Sequence, residues 1–405
     1  MANSLLTINM ITREAVRLWK NSNSFIQNID TQYDDSFANT GAKIGTSLRI
    51  RLPNDFTVTT GPAASVQDTA EQSTTLTLAT QKHVDVSYSS VDRTMSLDDF
   101  SRRILAPMVN NLAGAVAADV MSGADGGVCN LVANVDGSNN ILNPTASTWL
   151  AAGAVLDLNS GARRNRKIVM DPLTQARTVA SLAGLFNPVE RISDQYNSGE
   201  MFKALGFDWF MDQTVLKHTT GTFSAGTVNG GGQTGLTITT NAITGTLAVG
   251  DIITFASVNA VNRITKQTTG QLRQFVVTAA AANAATSISI YPALIPFQQP
   301  GNVPVQYQTV DVSPANSAVI SLVTNVSSVY RKNIAFQPEA VTMATADLEL
   351  PKGVHEAARE SFDGVAMRMV SAYNIATDQF ITRLDVLYGY LWVRPEWACV
   401  IADAV

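Results

Sequence analysis

Between Ser96 and Gly123 the apolar side chains Leu97, Phe100, Ile104, Met108, Leu112, Val116 and Val120 recur at steps of three or four. That period predicts one long amphipathic helix. Ser96 with Asp99 forms a capping-box-like start, and Asp98 and Asp99 set negative charge against the positive end of the dipole. Asp98/Arg102 and Asp99/Arg103 stand at i,i+4 on the polar side, and Gly123 ends the pattern. A continuous helix here would reach about 40 Å. Pro107 inside it predicts a kink or a break, because it removes a backbone hydrogen bond and crowds the carbonyl of Arg103. Such a stripe needs a sheet or a neighbour laid along it.

Upstream, Leu5, Leu6, Ile8, Ile11, Ala15, Val16 and Trp19 give a short amphipathic helix centred on Thr12–Lys20, with a polar tail after it. This arm must dock on its own body or on another subunit. Over residues 46–92, Leu48, Ile50 and Leu52, then Leu76, Leu78, Val84, Val86 and Tyr88, keep even parity around a polar tip, Thr59–Ser73. The pattern predicts a long β-hairpin. A two-stranded ribbon is marginally stable alone, so one this long implies a partner surface beneath it, which points to assembly.

Downstream, helices are expected over Thr148–Leu158 and Pro172–Leu185, and strands over Lys167–Val169 and Phe207–Met211, the text of a compact α+β domain. Near Gly221 the texture changes to short Thr- and Val-rich runs, LTITT (236–240), DIITFA (251–256), LRQFVVT (272–278), SISIY (287–291) and VPVQYQT (303–309). Parted by Gly, Asn and Pro turns, they predict a small all-β barrel or sandwich inserted into that domain. Further strands follow in NIAFQPEAVTMATAD, FDGVAMRMVSAYN, ITRLDVLYGYLWV and ACVIA, which can form the sheet under the long helix.

Composition sharpens this picture. The 405 residues allow two or three domains with a real core. Only 15% are charged, against about 25% in typical soluble domains. A surface so poor in charge, with a net charge of only -5, is expected to be covered by other chains. The acidity and the lack of a Lys/Arg block argue against specific duplex binding. Cys129 and Cys399 are no disulfide framework and read as buried thiols. Neither a signal-peptide pattern nor an apolar run long enough for a bilayer is found, so a protein free of membranes is expected.

Catalytic patterns do not emerge. His355-Glu356 begins like HExxH, but Arg359 stands where the second histidine belongs, and an ordinary helix start is the expected reading. Gly230–Gly232 reads as a flexible turn, since no GK[ST] or GxGxxG accompanies it. Asp34–Asp35 and Asp98–Asp99 are sequence neighbours, not carboxylates converging from separate elements. The chain is expected not to be an enzyme and to hold no cofactor or metal.

Three stretches carry a likeness. Val249–Val277 has a Gly-Asp-x-x-Thr-Phe strand start, an Ala-Ser-Val turn and a Phe-Val-Val strand; Tyr388-Gly389 is followed, four residues on, by Arg394-Pro395-Glu396; Asp208–Val215 reads DWFMDQTV. With the order of elements, these resemble the Hong Kong 97-type fold of tailed-bacteriophage major capsid proteins, more narrowly the podovirus coat proteins with an insertion domain. The layout covers essentially the whole chain. The resemblance implies an α+β fold made of an N-terminal arm (1–40), an extended loop hairpin (41–94) and a peripheral domain with a spine helix (95–146). An axial domain (147–219 and 313–345), an inserted β-barrel (220–312) and return strands (346–405) complete it. Ser224–Gly235 has no charged residue, unlike a loop that bridges two-fold contacts in some relatives.

The implied function is a coat protein that assembles, in hexamers and pentamers, into the icosahedral shell of a double-stranded DNA phage. Assembly would run through a scaffold-assisted procapsid in the host cytoplasm, with a portal, and the shell would expand on DNA packaging, touching the DNA weakly and non-specifically. The rival reading is a non-capsid tail or adhesin protein with the β-region as its binding module. Candidate inter-subunit contacts are Arg49 and Arg51 on the hairpin, Asp68 and Glu71 in its tip, and Trp19 on the arm. Solvated strand charges worth ~0–1 kcal/mol each, and intrachain packing of Trp19, are the alternatives. Pro107 is a candidate bend for maturation or simply a tolerated kink.

Overall fold

The computed structural model describes residues 8–31, 47–64, 66–67, 71–89, 104–182, 203–298, 305–362 and 364–405. They form two compact units. The first holds the N-terminal segment to Ile50, Ser73–Val120 and Val341–Val393; the second holds Arg51–Gln72, Met121–Ala340 and Arg394–Val405.

The first unit is organised by the strand Gln379–Trp392. Its alternation buries Thr382, Leu384, Val386 and Tyr388 on one face. Antiparallel partners are Thr80–Ser89, Val341–Ala346 and Val365–Asn374, and Glu356–Phe362 extends the sheet. The predicted stripe is realised as the α-helix Ala106–Ser122, with Met108, Leu112, Val116 and Val120 buried. Polar contacts fix its position on the sheet. Lys82 Nζ donates to the Ala115 carbonyl at 3.0 Å, the Tyr388 hydroxyl donates to Asp119, and Trp392 Nε1 donates to the Val120 carbonyl at 3.0 Å. Pro107 is the second residue of this helix and directly follows the π-helical residues Ile104 and Leu105, a local irregularity of the kind that accompanies a helix kink. The cap and charge pairs expected over Ser96–Arg103 lie outside the described residues.

The N-terminal helix Ile8–Ser22 lies on Glu356–Phe362 and Val365–Asn374 and buries Ala15, Val16 and Trp19. Asn23 Oδ1 then accepts from the amides of Phe25 and Ile26 and starts the short helix Ser24–Asn28. Beyond it, the amide of Met343 donates to the Asp30 carbonyl at 2.9 Å, adding the segment to the sheet's edge.

Three expectations are corrected here. The ribbon is short: Ser47–Arg51 pairs with Ser73–Thr77, whereas Thr80–Ser89 leaves to join the main sheet. The surface beneath the ribbon is the chain's own, because Ile50, Leu76 and Leu78 pack with Ala344, Ala346, Leu387 and Leu391. Gly389 permits this approach; a Cβ there would stand 2.2 Å from the Thr77 carbonyl oxygen. Finally, His355 does not precede a helix: Glu356–Phe362 is a strand, so the i,i+4 geometry of an HExxH helix is absent as well.

In the second unit an eight-stranded mixed sheet runs Ile141–Leu142, Leu131–Val135, Ala398–Ala404, Val329–Phe336, Lys167–Met170, Phe207–Met211, Lys203–Ala204, with Lys217–Thr219 also on Val329–Phe336. Two helices, Ala146–Leu158 and Pro172–Leu182, follow the predicted text. Trp149, Ala152 and Leu156 pack on Ile168, Phe207, Trp209, Cys399 and Ile401, with the rings of Trp149 and Trp209 meeting edge-on at 4.8 Å. Cys129 and Cys399 are free and buried, and burial pushes both thiols up.

Residues past Gly221 form a five-stranded antiparallel sheet in the order Gly235–Thr239, Ser287–Leu294, Phe275–Val277, Ile252–Phe255, Ile320–Leu322. Phe223, Ile238, Ile253, Phe255, Phe275 and Ile290 fill its core. Ile320–Leu322 lies beyond the boundary expected at residue 312. The run VPVQYQT, by contrast, supplies no strand among its described residues 305–309.

Candidate assembly surface

The second unit holds two buried polar centres that set its geometry. In the first, Asp251 has no solvent exposure. Its Oδ1 accepts from His218 Nε2 at 2.9 Å, and its Oδ2 accepts from the amides of Gly221 at 3.1 Å and Ala248 at 2.7 Å. The preceding Gly250 has φ +94°, and a Cβ there would come 3.1 Å from both Asp125 and His218. Lys332 Nζ donates to Asp125, and the Tyr330 ring packs 5.3 Å from His218. The strand leading into the five-stranded sheet and the one leaving it are also tied together. The amide of Ser328 donates to Thr220 Oγ1 at 2.7 Å, and that hydroxyl donates to the Asn325 carbonyl at 2.8 Å. A buried carboxylate with three donors is satisfied; with fewer it would be costly.

The second centre anchors the loop 52–72 beyond the ribbon. Arg263 Nε donates to both oxygens of Asp55, at 3.2 and 3.0 Å, and its Nη1 donates to Glu396 Oε1 at 3.0 Å. Burial works against the Arg263 charge, but Asp55 and Glu396 outweigh it and raise its pKa. Lys266 Nζ lies 3.6 Å from Asp55, and the Tyr307 hydroxyl donates to Asn54 Oδ1 at 3.1 Å. Within the loop the Gln67 side chain accepts from the Thr57 amide at 2.9 Å and donates back to its carbonyl at 2.5 Å. A loop fixed this way exposes apolar side chains: Val58 is 93% exposed, Val66 91% and Phe56 57%.

Among the residues singled out from the sequence, Trp19 is fully buried within the first unit. Arg49 Nε donates to Ser73 Oγ at 2.8 Å, and Arg51 pairs with Glu71 at 3.4 Å. Both contacts cross between the two sides of one ribbon, and the Arg51 and Glu71 side chains remain more than half exposed. Asp68 lies outside the described residues. Asp55, Arg263 and Glu396 were not singled out for this role. The signal was slight: Arg263 is one of few charged residues in a neutral stretch, and Glu396 closes the Arg-Pro-Glu pattern, whose arginine stacks 4.2 Å over the Trp397 ring. Among the described residues no three His, Cys, Asp or Glu side chains gather as a metal site, and no helix is long and apolar enough to cross a membrane.

A family model described as "P22 coat protein - gene protein 5" matches residues 38–401. Solved structures with a similar chain include one from Mycobacterium phage Che8, at 10% identity over 94% of this chain and 90% of that one, TM-score 0.46. The capsid of Ralstonia phage GP4 matches at 7% identity over 95% and 91%, TM-score 0.47. The CUS-3 coat protein I-domain is 30% identical over 25% of this chain and 96% of its own, TM-score 0.20. No curated protein matches.

Proposed function

The chain belongs to the P22 coat protein family and is a major capsid protein of a phage shell, and from that premise we propose how it builds the shell. Copies tile through the loop 52–72, which presents Phe56, Val58 and Val66 to a neighbouring subunit. Exposure of these side chains on a loop pinned by Asp55 is the observation that carries this reading. Burying each valine against a neighbour would contribute about 1.5–3 kcal/mol, repeated at every contact of a closed lattice.

The finer architecture we propose is the Hong Kong 97-type one. Helix Ala106–Ser122 serves as the spine, the eight-stranded sheet with its two helices as the axial domain, and the five-stranded sheet as the insertion domain. The segments 1–40, 41–94, 95–146, 147–219, 220–312, 313–345 and 346–405 are its parts, the insertion extending at least to Leu322. Arg51 and Glu71, exposed at the loop's root, are proposed to trade their mutual pair for partners on a neighbour. Assembly around a scaffolding protein and a portal in the host cytoplasm, then expansion on DNA packaging, completes the proposal. Low charge and net acidity suit a wall that DNA slides along, since a basic lining would grip phosphates.

Sedimentation and negative-stain microscopy of the purified chain test this. Shells, tubes or capsomers are expected. A compact monomer persisting at high concentration, with and without a scaffolding protein, would overturn it.

A further inference from the structure

Beside the Asp55–Arg263–Glu396 centre lies a cavity of about 210 Å³, lined among others by Asn159, Arg263, Arg273 and Tyr291 as well as the two carboxylates. Charge in and around it does not balance. The cations are Arg263 and Arg273 on its wall with Lys266 and Arg394 close by; the carboxylates are Asp55 and Glu396 on its wall with Glu339 acting on Arg394, four against three. Both wall carboxylates are engaged by Arg263, and Asp55 also faces Lys266. Arg273 is left over. Among the described residues it makes no ion pair; it donates weakly to Asn159 Oδ1 at 3.4 Å and to the Cys129 sulfur at 3.7 Å. Its Nε is buried and has no acceptor.

A guanidinium with a buried, unanswered donor is costly, and an anion is the partner that relieves the cost most. Tyr291 lines the same space, and burial raises the pKa of its phenol, so it stays protonated and able to donate. Guanidinium plus phenol is a donor set for an oxyanion. The sulfur facing Arg273 cannot substitute, because burial holds the Cys129 thiol neutral.

We propose that this cavity binds one small oxyanion, a phosphate or a carboxylate, with Arg273 as its charge partner and the Tyr291 hydroxyl as a second donor. Bound there, the anion would complete the charge balance beneath the loop 52–72 and stiffen its anchorage. The proposal is independent of how copies of the chain meet one another.

Titration calorimetry of the full chain with inorganic phosphate, with acetate and with chloride at matched ionic strength tests it. Saturable binding of phosphate or acetate but not chloride is expected, and the arm that binds identifies the oxyanion. Arg273→Gln should weaken it by about tenfold or more, while Arg163→Gln, an exposed arginine elsewhere, should leave it unchanged. Arg273→Lys, which keeps the charge but loses the fork, should fall between. If Arg273→Gln does not fold, a shell map in phosphate against one in chloride gives the answer through density beside Arg273. Absence of saturable binding, equal binding by Arg273→Gln, an adventitious ion only, or water-sized density alone would overturn the proposal.

Discussion

Asp251 and His218 stand 2.9 Å apart in the interior of the second unit, 33 residues apart in sequence, and close the neck of the five-stranded sheet. The pair accounts for the Gly-Asp start of that sheet in one stroke. The aspartate caps two amides and one imidazole, and the glycine before it both adopts a positive φ and leaves room for Asp125 and His218. Asp251→Ala removes the acceptor of all three donors and strands a buried histidine. The expected loss is about 3–5 kcal/mol, read as a fall in the denaturant midpoint. Limited proteolysis should then cut first within 221–323. A midpoint unchanged within error would show that the neck is held by other contacts.

The loop anchor behaves differently because its partners are unequal. Arg263 serves two carboxylates, so Arg263→Ala leaves Asp55 with Lys266 and Glu396 with only the charge of Arg394, whereas Asp55→Asn still leaves Arg263 paired with Glu396. Arg263→Ala is therefore the more damaging, by about 1–3 kcal/mol, and Asp55→Asn less so. Hydrogen exchange at the amides of Leu52 and Thr57 should accelerate in both. Equal effects, or no change in exchange, would mean that Arg263 is not the hub.

Asp157 supplies a pH dependence with a definite sign. Burial would raise its pKa, but hydrogen bonds from Arg166 at 2.7 Å and Arg163 at 3.2 Å outweigh that, and the net shift is downward. A carboxyl lowered in the folded state contributes stability above its unfolded pKa and loses it as pH falls through the folded one. The side chain is about one-third exposed, so screening limits the contribution to under about 1 kcal/mol. Asp157→Asn should be slightly less stable at neutral pH, and its stability should fall less steeply below about pH 4. Parallel curves of denaturant midpoint against pH for the two proteins would rule the assignment out.

How far the sequence reached depended on whether a feature was local. The stripe of Met108, Leu112, Val116 and Val120 is a helical period and was legible, as was the strand Phe207–Met211. Thr80–Ser89 was recognisable as a strand, but its partner Gln379–Trp392 lies some three hundred residues on, and parity cannot name a partner. Proximity in sequence favoured the hairpin, and tertiary pairing overrode it. His355 misled because Pro351 and Gly353 punctuate a helix start and a strand start alike. The short run Ile320–Leu322 follows a polar stretch and looked like the next domain. At the candidate surface, Arg51 and Glu71 were visible as charges on a ribbon. Asp55 and Arg263 meet across more than two hundred residues, which no spacing rule encodes.

The sharpest division lies between side chains that hold the subunit together and those that would hold subunits to one another. Trp19 is fully buried, Val58 and Val66 almost fully exposed. Trp19→Ala opens a cavity under the N-terminal helix and should cost about 3–5 kcal/mol of subunit stability. Val58→Asp and Val66→Asp alter surface positions, so subunit stability should move by no more than about 0.5 kcal/mol. If the loop docks on a neighbour, each aspartate must be desolvated or the contact abandoned, and the assembled fraction in sedimentation should fall at least about tenfold. The two readouts separate the roles: Trp19→Ala shifts the melting curve, the valine variants shift assembly at an unchanged melting curve. Val58→Asp and Val66→Asp chains that melt normally and still close into shells would remove the loop from the lattice contacts.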